Sequence, residues 1–160
     1  MAGYGTDDGF TAYATAAGYT VPAGSIPGAR QRGSAYIDGT YGLRFSGQPT
    51  GGIDQERAWP RIGATAYGAA LASDLIPQRV IDASYEAAYL ELTKPGSLSV
   101  SFDPAKRVKR QKVEGLEREF FEPGDDGNIF APNAPVSSII DGLLAPLIGP
   151  VTGLPDIMVV

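Results

Sequence analysis

Apolar residues recur at helical spacing in four segments of the chain, and this pattern predicts a mainly α fold. The first segment covers residues 10–17; acidic residues precede it and Gly18 follows it, as at the ends of a short helix. The second covers residues 26–41, with Ser25 as its cap and Pro27 in the first turn, where proline is tolerated. The apolar positions are Phe10, Tyr13, Ala14 and Ala17 in the first helix, and Ala29, Gly33, Tyr36, Ile37 and Tyr41 in the second.

The third segment, residues 76–92, has the widest apolar face, which predicts a central place in the fold. Pro77 is expected in its first turn, and Pro95-Gly96 ends it. Two adjacent apolar rows consist of Val80, Ala83, Ala87 and Leu90, and of Ile81, Tyr85, Ala88 and Leu92. The remaining polar strip consists of Arg79, Asp82 and Glu86.

A β-hairpin is predicted at about residues 107–121, as an insertion between the third and fourth helices. Polar and apolar positions alternate on both sides of Glu114-Gly115, which has the length and composition of a hairpin turn. The first arm is basic, whereas the second carries Glu117 and Glu119. Opposite charges across the two strands would stabilise the pair by about 0.2–1 kcal/mol each.

The fourth helix and a C-terminal arm complete the predicted architecture. The helix begins at Ser137 or Ser138, continues through Ile139, Ile140, Leu143 and Leu144, and is limited by Pro146. Residues 149–160 contain too much Gly and Pro for a helix, so we expect an extended arm outside a helical domain of residues 1–148. The apolar residues of this arm are Leu154, Ile157, Met158, Val159 and Val160, and they predict that it docks on another surface.

Residues 42–76 lack a clear period and contain few large apolar residues. We predict an ordered loop that is held in place by Trp59, with Pro60 directly after it, followed by a short helical turn over residues 67–71. Trp59, Pro60 and Pro77 are therefore assigned structural roles.

Composition narrows the chemistry that the chain can perform. Its 160 residues include 21 Gly and 13 Pro, which indicates long loops around a modest core, and neither Cys nor His. Thiol and imidazole catalysis and most transition-metal sites are thereby excluded, and no carboxylate pair stands out as catalytic. We expect no enzyme activity, no cofactor and no metal. No apolar run approaches the roughly 20 residues of a membrane helix, and the N-terminus has no signal-peptide pattern.

Charge is distributed unevenly along the chain. The net charge is −5, but a basic segment carries five positive charges and no negative one: Lys106, Arg107, Lys109, Arg110 and Lys112. Removing these five from 13 basic residues leaves eight against 18 acidic ones, a net of −10 elsewhere. The basic segment could bind nucleic acid, or it could face the acidic arm of the hairpin or a neighbouring subunit. Tyr85 and Tyr89, one helical turn apart, favour core or subunit packing over a base-stacking platform.

Four motifs together resemble one phage protein family. They are Ala58-Trp59-Pro60-Arg61, Ile76-Pro77, residues 108–117 (VKRQKVEGLE) and residues 140–147 (IDGLLAPL). In this order and spacing they are similar to the family of DnaT-like proteins, over residues 7–149. The family's label suggests single-stranded DNA binding. Its members, however, resemble the helical head-completion adaptors of tailed phages.

The resemblance implies a structural role without catalytic residues. We expect a head-tail connector subunit in the virion neck, made in the host cytoplasm and assembled with its own copies into a ring, expected to be a dodecamer. Its partners would be the portal protein and a tail-side connector or tail terminator, with packaged DNA passing through the lumen. The complementary charges of Glu117 and Glu119, the basic segment and the C-terminal arm would supply the interfaces. The alternative is a single-stranded DNA-binding accessory protein of phage replication.

Overall fold

The computed structural model describes residues 3–99, 111–113, 116–118 and 137–148, and the fold in these residues is mainly α, as predicted. Its helices are α1 (Asp7–Ala16), α2 (Ile26–Tyr41), α3 (Gln78–Thr93) and α4 (Ser138–Leu144). Its strands are β1 (Gln48–Pro49), β2 (Arg61–Ile62), β3 (Thr65–Ala66), β4 (Ala69–Ala70), β5 (Gln111–Val113) and β6 (Leu116–Arg118), and a 3₁₀ turn covers Gly52–Asp54. None of the described helices is long and apolar enough to cross a membrane.

The helix starts follow the capping chemistry of the sequence. The Ser25 hydroxyl accepts a hydrogen bond from the Gly28 N–H at 3.3 Å, and α2 has the predicted bounds. The α1 cap is Thr6, whose hydroxyl accepts from the Gly9 N–H, so α1 begins earlier than its apolar pattern. Pro77 is the N-cap residue of α3, one position before the predicted first-turn place.

Helix α3 is central, because α1, α2 and α4 all pack against it. Its closest neighbour is α2, and Gly33 allows this approach. A Cβ atom at Gly33 would lie 2.6 Å from the Ser84 carbonyl oxygen and 2.8 Å from the Ala88 nitrogen. The glycine that weakens α2 as an isolated helix therefore brings the two helix backbones together.

The buried side chains form two clusters on either side of α3. The larger one lies between α2, α3, α4 and the loop, and consists of Tyr4, Tyr36, Ile37, Tyr41, Phe45, Trp59, Ala64, Val80, Ala83, Ala87, Ile140, Leu144 and Leu147. The smaller one joins α1 to α2 and α3 through Phe10, Ala29, Tyr85, Ala88 and Leu92. The predicted apolar faces are thus largely confirmed, except that Ala17 is exposed at the end of α1.

The loop between α2 and α3 differs from its prediction. It contains two short antiparallel pairs, β1 with β2 and β3 with β4, and the predicted helical turn over residues 67–71 is wrong. Tyr67 and Gly68 both have positive φ values, of 52° and 80°. Two successive positive values form the type I′ turn of a tight hairpin, which is incompatible with a right-handed helix.

The predicted hairpin insertion is confirmed where the structure describes it. Strands β5 and β6 are antiparallel, with Gln111 opposite Arg118, Lys112 opposite Glu117, and Val113 opposite Leu116. At the end of the described chain, Ile148 forms an isolated antiparallel bridge with Phe45. The arm predicted over residues 149–160 follows this bridge and lies outside the described residues.

Candidate functional site

Most of the predicted interface residues lie outside the described part of the chain. These are Lys106, Arg107, Lys109, Arg110, Glu119, Leu154, Ile157, Met158, Val159 and Val160. Lys112 and Glu117 are paired positions on β5 and β6, so one basic and one acidic position lie opposite each other in the hairpin. Their interface role remains a prediction.

Trp59 and its neighbours join the loop to the helices. The indole is 2% exposed and meets the Phe45 ring edge-on, with ring centroids 5.5 Å apart. The Trp59 backbone N–H donates to the Tyr4 hydroxyl at 3.1 Å, and the Trp59–Pro60 peptide bond is cis. The Pro60 carbonyl accepts hydrogen bonds from the Thr50 N–H and the Gln55 side-chain amide. Trp59 is therefore part of the main core rather than an exposed contact residue.

Two buried arginines bind backbone carbonyls instead of presenting charge to a ligand. Arg61 is 6% exposed, and its guanidinium donates to four carbonyl oxygens within 2.6–3.2 Å: those of Phe45, Ser46, Gly47 and Ala58. Among the described residues no carboxylate forms an ion pair with it, and burial lowers its pKa. Arg30 binds the N-terminal segment in the same way, through the carbonyls of Gly3, Tyr4 and Gly5 and the Asp7 carboxylate.

Ion pairs engage two further arginines of the helical body, which we define as residues 3–99. Arg32 donates to the buried Glu91 carboxylate at 2.7 Å, and Arg57 lies 3.4 Å from the Asp38 carboxylate. Residues 3–99 hold seven basic and nine acidic residues. Four of the seven basic side chains are thus engaged by carbonyls or carboxylates of the body itself. The helical body offers little free positive charge to a polyanion.

Tyrosine–carboxylate hydrogen bonds connect elements that are distant in sequence. The Tyr4 hydroxyl donates to Asp38 at 2.6 Å, and the Tyr41 hydroxyl donates to Asp141 of α4 at 2.6 Å. Glu86 accepts from two tyrosine hydroxyls, Tyr13 at 3.2 Å and Tyr19 at 3.4 Å. Glu86 is only 3% exposed, so it does not share a solvent-facing polar strip with Arg79 and Asp82. A buried carboxylate needs such donors, because its desolvation is otherwise costly.

The tyrosines titrate at higher pH than usual because of these surroundings. Burial is the main cause that raises the pKa of Tyr4, Tyr13 and Tyr41 well above 10, and the nearby carboxylates raise it further. Burial also raises the pKa of Asp38, although hydrogen bonds from Tyr4 and contacts with Arg57 oppose the shift. These hydroxyls are therefore held protonated as structural donors, far from the pKa near 7 of a typical general base.

The two tyrosines of α3 that raised the question of base stacking have different partners. Tyr85 is 4% exposed, and its hydroxyl accepts from the Thr6 N–H at 2.9 Å, which confirms core packing. Tyr89 is half-buried and stacks on Tyr19, with ring centroids 4.3 Å apart and an interplanar angle of 17°. Its aromatic partner is thus supplied by the chain itself.

An open groove of about 430 Å³ lies between α1 and the first turns of α3. It is lined by Gly5, Thr6, Gly9, Ala12, Tyr13, Ala16, Gln78, Ile81, Asp82 and Tyr85. The lining has no basic residue and no cluster of metal ligands; in the described residues as a whole, no group of three Asp or Glu is placed to hold a metal. The groove is therefore suited to a ligand that binds through apolar packing and charge, and its lining does not provide a metal site.

These features define a small helical-bundle protein. Most of the polar side chains described above form hydrogen bonds or ion pairs between its helices, loop and N-terminal segment. Comparison with family models gives a match over residues 3–157 with the family described as "Putative DnaT-like ssDNA binding protein". The chain belongs to this family. No curated protein and no solved structure matches the chain.

Sequence reasoning missed the residues that hold the loop and the N-terminal segment. The roles of Arg30 and Arg61 left no sign in the sequence, because it does not show which carbonyl groups converge in space. Arg61 belongs to the Ala-Trp-Pro-Arg motif, which pointed to this region without revealing the contact. Glu86 gave a weak signal, since it lies between apolar rows on a helix with an unusually wide apolar face.

Proposed function

We propose that this chain binds single-stranded DNA and that residues 106–112 supply the phosphate contacts. The description of its family supports this function, which the sequence had suggested as the alternative. The observation that carries the assignment to residues 106–112 is the use of arginines in the helical body. Because Arg30, Arg32, Arg57 and Arg61 are engaged internally, the densest remaining run of basic residues in the sequence is residues 106–112.

Binding of this kind is sequence-independent and sensitive to salt. Binding releases cations that are condensed on the DNA backbone, so added salt lowers the affinity, with a slope of about −0.7 per phosphate contact in a plot of log K against log salt. Five contacts, one for each basic residue of the segment, give a slope of about −3.5. The groove tyrosines and the Tyr19–Tyr89 stack make no necessary contribution, since Tyr85 is buried and Tyr89 already has a partner.

The test is fluorescence anisotropy with a labelled single-stranded oligonucleotide over a range of salt concentrations. The variant Lys109→Glu/Arg110→Glu should weaken binding at least tenfold and flatten the salt slope. The control Arg79→Glu/Lys94→Glu makes the same change in net charge at exposed positions of α3 and its C-cap, and it should bind almost as the unmodified chain does. Equal loss in both variants, or no binding at low salt, would refute the proposal.

A second candidate, the head-tail connector ring, rests on a different observation. The loop between α2 and α3 presents three large apolar side chains that are at least 79% exposed: Leu43, Ile53 and Tyr67. Exposed apolar groups on a firmly held loop favour contact with protein rather than with a polyanion. In this role the chain assembles in the virion neck after synthesis in the host cytoplasm, between the portal protein and a tail-side connector or tail terminator.

Cryo-electron microscopy of purified phage necks tests the connector role. A symmetric ring of this chain below the portal, with the loop side chains at a subunit or portal contact, is the expected result. Absence of the chain from intact virions would refute the connector role and leave the DNA-binding proposal untouched. The two candidates therefore fail separately.

A further inference from the structure

The groove between α1 and α3 has the shape and charge of a docking site for a basic peptide segment. One wall is formed by small residues of α1, Gly9, Ala12 and Ala16, which leave the helix surface open. The other wall is formed by the first turns of α3, including Ile81 and Asp82. We propose that the groove binds residues 106–112 of a second copy of this chain.

The lining side chains of the groove include one carboxylate, that of Asp82, and no basic residue. Asp82 accepts a hydrogen bond from the Gln78 side chain on Oδ1 at 2.8 Å, and its Oδ2 has no partner among the described residues. Asp8 is exposed and lies four and eight residues before Ala12 and Ala16, so it occupies the same row of α1. A cation that enters the groove therefore meets the Asp82 carboxylate in the lining, and Asp8 lies one turn before Ala12 on α1.

The chemistry of lysine and arginine suits both the apolar wall of the groove and its one lining carboxylate, Asp82. Their long aliphatic stems pack on small apolar side chains, while their charged ends reach carboxylates. The ring of Tyr13, which also lines the groove, adds a face on which a cation is favourable. The segment of residues 106–112 has five such side chains within seven positions and no internal carboxylate. It is the densest positive charge in the chain, and the groove lining offers only negative charge to meet it.

The groove and the basic segment are formed by different residues of the chain, so the proposed contact between copies is heterologous. Such contacts close into rings or continue as open chains, according to the rotation between neighbours. The association needs no DNA and goes beyond the proposed DNA binding. Because both use residues 106–112, single-stranded DNA and the groove compete for the same charges.

The experiment measures molecular mass against protein concentration by sedimentation equilibrium at low salt, without nucleic acid. The full chain should associate as concentration rises, and added salt should reverse the association.

Two variants change the groove: Ala12→Trp fills it at an exposed position, and Asp82→Lys reverses the charge of its lining carboxylate. Each should weaken association at least tenfold while the helical circular dichroism stays unchanged. Thr15→Trp and Asp74→Lys are the matched controls at exposed positions outside the groove, and they should associate like the unmodified chain.

Charge exchange shows whether the two surfaces meet each other. Lys109→Glu alone should weaken association, and the combination Lys109→Glu/Asp82→Lys should recover part of it. A chain that stays monomeric at every soluble concentration overturns the proposal. Binding of residues 106–112 to the groove of the same molecule would give this result and would therefore also count against it. Association that Ala12→Trp leaves intact also overturns it, because another surface would then be responsible. Neither outcome bears on DNA binding, which is measured separately by anisotropy.

Discussion

The helical bundle and the loop of residues 42–76 are held together by different kinds of interaction. In the bundle, apolar side chains recur at helical spacing, and Gly33 brings α2 and α3 into close contact. In the loop the strands have only two residues each, too short for a stable ladder. One arginine, Arg61, instead gathers four carbonyl groups, and the Gln55 side chain joins Gly51 to Pro60.

The two regions differ in how many residues contribute to their stability. Contacts along a helix face are many and individually small, so the bundle does not depend on any one of them. The loop depends on single side chains that each satisfy several backbone groups. Substitutions in the loop should therefore have large, localised effects, and substitutions in the bundle should be graded by volume.

Removal of the Trp59 side chain should have the largest effect, because Trp59 belongs to the loop and packs in the bundle core. Trp59→Ala is expected to cost about 3–5 kcal/mol of unfolding free energy, the usual range for a buried Trp. Urea denaturation followed by circular dichroism measures it. Leu43→Ala, at a fully exposed position of the same loop, should stay within about 0.5 kcal/mol. A Trp59→Ala chain as stable as the Leu43→Ala control would contradict the core position of the indole.

Arg61→Met is expected to cost about 2 kcal/mol or more, with the loss confined to the loop. The methionine keeps much of the volume but leaves carbonyls unpaired, at about 1–3 kcal/mol for each one that water does not reach. Hydrogen exchange should show faster exchange of loop amides, such as the Thr65 N–H, than of those in α3. Lys94→Met, at the exposed C-cap of α3, is the control and should change neither the stability nor the exchange of loop amides. Uniformly faster exchange throughout the chain would mean that the loop is not a separate unit of stability.

Gly33→Ala tests the bundle side of the comparison. A Cβ atom there would overlap the α3 backbone, so we expect a loss of about 1–3 kcal/mol despite the better helix propensity of alanine. Gly39→Ala in the same helix meets no atom within 4 Å and should stabilise the chain by up to about 1 kcal/mol. Thermal unfolding of the two variants should therefore shift in opposite directions. If both variants shifted the unfolding temperature in the same direction, the close contact of α2 with α3 at Gly33 would be contradicted.

High pH should lower the free energy of unfolding gradually, by less than the substitutions above, because it acts on the tyrosine–carboxylate hydrogen bonds between elements. The raised pKa of the buried Tyr41 means that, above pH 10, tyrosines of the unfolded chain lose protons that the folded chain retains. Stability is then complete below pH 10 and falls above it, by up to about 1.4 kcal/mol per pH unit for each such tyrosine. Tyr41→Phe should flatten this decline in urea titrations between pH 9 and 11, whereas Tyr67→Phe, at an exposed position, should not. A decline that is identical in both variants would contradict the burial of the Tyr41 hydroxyl.

Prediction from sequence succeeded where the signal is local. The bounds of α2, the site of α4 and the pairing of β5 with β6 follow from apolar period, capping residues and turn composition. It failed at residues 67–71, since a positive φ at Tyr67 has no strong sequence signature. It also grouped Glu86 with Arg79 and Asp82 in a polar strip and did not reveal its burial, because its partners Tyr13 and Tyr19 are far from it in sequence.

The sequence by itself determined the helices, the hairpin, the concentration of positive charge at residues 106–112, and the family to which the chain belongs. These properties depend on neighbours within a few residues or on matched motifs. Only the tertiary structure decided that Arg30 and Arg61 bind carbonyls, that Glu86 is buried, and that α1 and α3 leave a groove lined by Asp82 and by no basic residue. Each of these depends on groups that are far apart in the chain, whose convergence is fixed by packing and leaves no periodic trace in the sequence.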